Sequence, residues 1–186
     1  MPDLAHCWTR EEVLALPDDG NRYELVDGEL LVSPSPRPLH QLAVAAFFRR
    51  LDPYVRAHRL GYLMSAPADL DLAAGQLVQP DLFVVQTEAG RPLREWTDAG
   101  VPRLAVEVLS PGTARFDRIV KRRRYQRSGV DTYWIVDLDA RLVEVWRPAD
   151  TSPQIVDQSL AWEPDISVPP LSIDLPACFV EIHEEA

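Results

Sequence analysis

Lysine is almost missing from this chain. Of its nineteen basic residues eighteen are arginine, and Lys121 is the exception. An ammonium is a compact charge with an adjustable pKa, whereas a guanidinium is a wide fork that stays charged. Two readings of Lys121 stand side by side: a position that arginine cannot fill, or a chance survivor. Cysteine is scarce too. Cys7 and Cys178 stand near opposite ends, no Cys-x-x-Cys pair occurs, and the four histidines are scattered. That pattern speaks against a structural zinc centre and suits two reduced thiols. No apolar run reaches the roughly 18 to 20 residues that cross a bilayer. The first residues, Met1 to His6, lack a basic start and a long apolar stretch. The expectation is therefore a cytoplasmic protein without a signal peptide or membrane contact.

Positive charge is short overall. The net charge is −10, which argues against generic affinity for nucleic acid. Its distribution is uneven. Residues 115–127 hold seven basic residues and one acidic, a local +6, so the rest of the chain carries −16. No lysine or arginine follows Arg147. A polyanion can bind only near 115–127. What the chain does have is apolar residues, 46% of 186, enough for one domain with a sizeable core.

Patterning predicts a mixed α/β (α+β) domain. Residues 9–16 read as a short helix with Thr9 as N-cap, Glu12 closing a capping box and Pro17 ending it. Residues 22–33 read as a hairpin turning at Asp27-Gly28. Apolar positions at helical spacing mark 39–59 as the clearest helix, which Pro53 either kinks or splits. Strands are expected as a pair over 61–72, then at 77–86 and 103–109, with a loop through Gly90 and Gly100 before the last. A basic helix follows at about 114–128, stopped by Gly129, then a hairpin over 131–137 and 141–147. The Pro-rich, acidic stretch 148–186 is expected to hold short strands at 153–160 and 178–183. The order implies one mixed sheet flanked by helices, in a single domain spanning 1–186.

Two carboxylates sit in apolar surroundings. Glu107 lies inside Leu104-Ala105-Val106-Glu107-Val108-Leu109, and Asp81 opens the run Pro80-Asp81-Leu82-Phe83-Val84. A buried lone carboxylate needs a cation, a metal or donors. The bland alternatives are a solvent-facing glutamate on an edge strand and a turn aspartate. Together the two can converge on one hard divalent cation such as Mg²⁺, which takes oxygen ligands. Such an ion lowers the pKa of a bound water and neutralises a phosphate in flight. A nearby lysine would assist that water and stabilise charge.

Four segments in order carry a family resemblance. They are Tyr23-Glu24-Leu25-Val26-Asp27-Gly28-Glu29-Leu30; Pro80-Asp81-Leu82; Glu107-Val108-Leu109-Ser110-Pro111; and Asp117-x3-Lys121-x3-Tyr125-x3-Gly129-Val130-x2-Tyr133-Trp134-x-Val136-Asp137. Together they resemble the Uma-two family of restriction-endonuclease-like proteins, also known as unknown-function domain family 820, within the PD-(D/E)XK nuclease superfamily. The resemblance covers about residues 22–147 and implies a restriction-endonuclease-like core, a divalent metal (Mg²⁺ or Mn²⁺) and DNA as substrate. It implies Asp81, Glu107 and the carbonyl of Val108 as metal ligands, with Lys121 completing a catalytic set. One departure stands out: the superfamily lysine belongs two residues after the glutamate, where this chain has Leu109. Some superfamily members supply it from the following helix, where Lys121 lies.

Supporting candidates are Glu24, His40 and Asp117. Glu24 is either a third carboxylate or a solvated hairpin residue. His40 is either a site residue or a helix cap. Asp117, four residues before Lys121, can orient it or form an ordinary surface pair. Arg118, Arg122 and Arg124, with Arg123 in the same run, are the candidates for DNA phosphates. A run of four cations covers every side of a helix, so a solvated face or an oligomer contact is the plain alternative. The expected function is a metal-dependent DNA endonuclease, acting as a homodimer because so short a domain has little room for a separate reader of base edges. The competing readings are a silent nuclease fold that binds DNA or a protein, and an oligomeric toxin or regulator with structural carboxylates.

Overall fold

The computed structural model describes residues 6–70, 72, 76–87 and 91–184. Gly90, Asp71 and the first five residues, on which some of the expectations above fall, lie outside them. Helix α1 (Arg10–Leu14) has the expected capping box: the Thr9 hydroxyl accepts from the Glu12 amide, and the Glu12 carboxylate accepts from the Thr9 amide. Strands β1 (Arg22–Val26) and β2 (Glu29–Ser33) pair antiparallel as a sheet of their own. Asp27 and Gly28 turn it with φ of 52° and 84°, the pair of left-handed residues that a two-residue hairpin loop requires.

Helix α2 (Pro38–Ala57) places Pro38 in its first turn, where a missing N–H costs nothing, and runs on through Pro53. Its buried stripe is Ala43, Ala46, Phe47, Leu51 and Val55. Strands β3 (Tyr62–Ser65), β4 (Leu82–Val85), β5 (Leu104–Val108), β6 (Thr132–Asp137), β7 (Leu142–Trp146) and β8 (Gln154–Val156) form one six-stranded sheet in that order. Only β5 and β6 run parallel. A parallel pair needs a crossover, and the basic segment after β5 supplies it.

Side chains alternate across β5. Leu104, Val106 and Val108 join α2 and Trp134 in one core. Ala105 joins Tyr125 and Tyr133 in a second core on the other face, and Glu107 by parity belongs there too. The first core is completed by Leu160 and Trp162 of β9 (Ser159–Trp162), Ile173 of β10 (Leu171–Asp174), and Leu175, Cys178, Phe179 and Ile182 of α5 (Leu175–Glu184). Arg49 and Arg50 of α2 grip Glu181 of α5. Here a sequence expectation fails: 178–183 is helix, not strand. Its apolar residues Cys178, Phe179 and Ile182 stand at i, i+1 and i+4, a helical stripe over α2 that a short apolar run does not distinguish from a strand.

The crossover is a composite helix: α3 (Ala114–Phe116), a π-helical turn (Asp117–Lys121) and α4 (Arg122–Arg127). Gly129, at φ 78°, ends it. Burial along it repeats every four residues. Thr113, Asp117, Lys121 and Tyr125 are buried; Arg115, Ile119, Arg123 and Arg127 are exposed. An uninterrupted α-helix, at 3.6 residues per turn, would drift away from such a pattern. The wider π turn absorbs the difference.

Candidate active site

The composite helix lies over the second core and aims Lys121 at β5. Its ammonium is fully buried, with Nζ 2.9 Å from Glu107 Oε1, 2.8 Å from Glu24 Oε2 and 3.4 Å from Asp117 Oδ1. Three elements therefore meet on one cation: the crossover helix, the central strand and the N-terminal hairpin. Tyr125, one turn on, donates its hydroxyl to the same Glu107 Oε1 at 3.1 Å.

Asp81, just before β4, is the second node. It accepts the Val108 amide at 2.8 Å and Arg22 Nη1 at 2.9 Å, and His40 Nε2 stands 3.1 Å away. Arg22 also reaches the Gln79 carbonyl and lies 3.6 Å from Glu24 Oε2, so it ties the two nodes together. Arg22 was not foreseen. The signal was present: Arg22 and Glu24 are two apart on one strand and so share a face.

The electrostatics follow from burial. Burial pushes Asp81 up, but His40, Arg22 and the Val108 amide outweigh it and hold the carboxyl at about 2. Burial pushes Glu107 well above the usual carboxylate range, and Asp81, Asp117 and Glu24 add to that against the opposing Lys121. Asp117 is raised for the same first reason. Burial would lower Lys121, yet Glu107, Glu24 and Asp117 raise it. The count explains these directions. Four buried carboxylates, Glu24, Asp81, Glu107 and Asp117, face two permanent cations, Lys121 and Arg22. With His40 neutral, two negative charges remain uncompensated, and with it protonated one does, a costly state that calls for protons or a further cation.

A cleft of about 710 Å³ opens beside this cluster. Arg22, His40, Asp81 and Val108 line it, with Ser110 and Thr113 at the start of the crossover. Glu107 and Lys121 do not reach its wall. Among the described residues, no three Asp, Glu, His or Cys side chains already stand at metal-holding distances; Lys121 and Arg22 bridge the carboxylates instead.

The sequence-expected residues Glu24, His40, Asp81, Glu107, Asp117 and Lys121 are thus brought together. Val108 contributes its amide, to Asp81. The expected DNA arginines are occupied within the protein. Arg118 binds Glu144 at 2.6 Å and Asp137 at 2.7 Å. Arg122 lies 4.5 Å over the Trp146 ring and bonds Gln126. Arg124 faces Asp27 at 3.6 Å.

The mixed sheet, its single parallel pair and the helix crossing between them define a domain of nuclease-type α+β architecture. A crystal structure titled as a putative nuclease belonging to DUF820 from Anabaena variabilis ATCC 29413 has this fold: the TM-score is 0.68 at 21% identity, covering 94% of this chain and 99% of that one. The family is shown by sequence. The model of the Uma2 family, described as "Putative restriction endonuclease", matches residues 10–176, and the chain belongs to that family. No curated protein matches it. Among the described residues no helix is long and apolar enough to cross a membrane.

Proposed function

We propose that the chain is a metal-dependent DNA endonuclease with a PD-(D/E)XK-type site whose lysine has moved to the crossover helix. The observation that carries this reading is the contact of Lys121 Nζ with Glu107 Oε1 at 2.9 Å, made from a separate element. Position 109, where the lysine would ordinarily stand, holds leucine. Asp81, Glu107 and the Val108 carbonyl would hold Mg²⁺ or Mn²⁺; these are the hard oxygen donors such ions prefer. The excess of buried carboxylates over cations in the cluster suits a divalent cation. When bound, the ion supplies an acidified water and charge neutralisation at the phosphate.

The chain's own residues do the rest. Arg22 and His40 keep Asp81 ionised, and Tyr125 fixes the Glu107 carboxylate. Lys121 orients the attacking water and offsets charge on the phosphorus oxygens, held in line by Asp117 one turn earlier. Pairing of two copies belongs to the same reading.

The test is cleavage of plasmid, linear and single-stranded DNA by purified protein in Mn²⁺. The parent is expected to cut, and Glu107→Gln and Lys121→Ala to lose at least about a hundredfold in rate. Intact DNA with the parent, or equal cutting by Lys121→Ala, overturns the reading. A second reading has its own support. Lys121 and Glu107 are enclosed and off the cleft wall, as in a silent fold that only binds. Calorimetric titration with Mn²⁺ separates the two, because a silent module gives no heat that depends on Glu107.

A further inference from the structure

We propose that Arg115, Arg123 and Arg127, on the exposed face of the composite helix, are the residues that hold the sugar–phosphate backbone of DNA. The proposal rests on the nuclease reading for the identity of the partner. It replaces Arg118, Arg122 and Arg124, which are half-buried and engaged by Glu144, Trp146 and Asp27.

Three observations converge. First, the outward residues are the uncommitted ones. Among the described residues, Arg115 and Arg123 have no hydrogen bond or ion pair, and Arg127 makes only a loose 3.9 Å contact to Asp27 with its side chain 68% exposed. This contrasts with Arg22, Arg50, Arg56 and Arg118, each bound to a carboxylate. Second, the stripe is straight and well placed. The four-residue period set by the π turn keeps residues 115, 119, 123 and 127 on one face. At 1.5 Å per residue the arginines span about 18 Å, roughly five nucleotides of a strand rising 3.4 Å each. The stripe starts two residues after Thr113, which lines the cleft beside Asp81. A strand lying along it leads towards the candidate active site.

Third, charge favours this segment: residues 115–127 carry a local +6, whereas the remainder of the chain, at −16, repels a polyanion. Neutralised phosphates release counterions, which fixes the expected signature.

The experiment measures binding of a labelled duplex and a labelled single strand by fluorescence anisotropy, in EDTA to prevent cutting, across a salt series. The full-length triple variant R115Q/R123Q/R127Q is compared with the parent and with R59Q/R141Q, which removes two other exposed arginines. The triple variant is expected to bind at least about tenfold more weakly at low salt. Its slope of log affinity against log salt should flatten by about 0.9 per lost phosphate contact on duplex, or about 0.7 on single strand. The R59Q/R141Q control should match the parent. If the parent binds and the triple variant keeps its affinity and slope, the stripe is wrong while the nuclease reading stands. If the control loses as much as the triple variant, the effect is net charge and the stripe is again wrong. If the parent neither binds DNA nor cuts it in Mn²⁺, both readings fall.

Discussion

Two faces of one helix divide the chemistry of this chain. On the inner face Asp117, Lys121 and Tyr125 are enclosed, and every charge there is weighed against a neighbouring one. On the outer face Arg115, Ile119, Arg123 and Arg127 meet solvent. The same residue class, a cation on a helix, does opposite things. Enclosed, it must be a compact ammonium that three carboxylates can surround. Exposed, it can be a broad guanidinium that meets phosphates edge-on. The composition follows this division: one lysine inside, arginine elsewhere.

The largest break in that contrast comes from the inner face. Lys121→Met keeps the length of the side chain and removes the charge, leaving Glu24, Glu107 and Asp117 without their shared cation. Losing one partner of a buried ion pair costs about 3 to 5 kcal/mol. The expected result is a fall of that size in urea unfolding midpoint times m, with m unchanged. A Lys121→Met protein as stable as the parent would show that the cluster is not held by charge.

The smallest effect concerns acid. Asp81 is held at about 2 in the folded chain, against an ordinary aspartate value of 3.8. A depressed carboxyl contributes stability above its unfolded pKa and loses it as pH falls through the folded one. Here that amounts to about 2 kcal/mol, present above pH 4 and gone below about pH 2. Asp81→Asn should flatten the acid limb of stability in that window, and a parallel limb would count against the Arg22 and His40 contacts.

Much of this was legible beforehand. The Thr9 box, the Asp27-Gly28 turn and the buried stripe of α2 depend on neighbours in the chain. Glu107 betrayed itself by its apolar strand, and Lys121 by its rarity. Other features depend on distance. Arg22 acquires its role only when β1 docks on Asp81, 59 positions away. The partition of the arginines needed the π turn, because a run of cations covers all sides of a regular helix. Residues 178–183 could serve as strand or helix until α2 decided.

The N-terminal hairpin brings Arg22 and Glu24 to the site together, one base and one acid. It is a neutral guest. With or without it, Asp81, Glu107 and Asp117 against Lys121 leave the same excess of negative charge, two when His40 is neutral. The debt therefore belongs to the six-stranded sheet and its crossover, and docking the hairpin changes where that charge is shared, not how much there is.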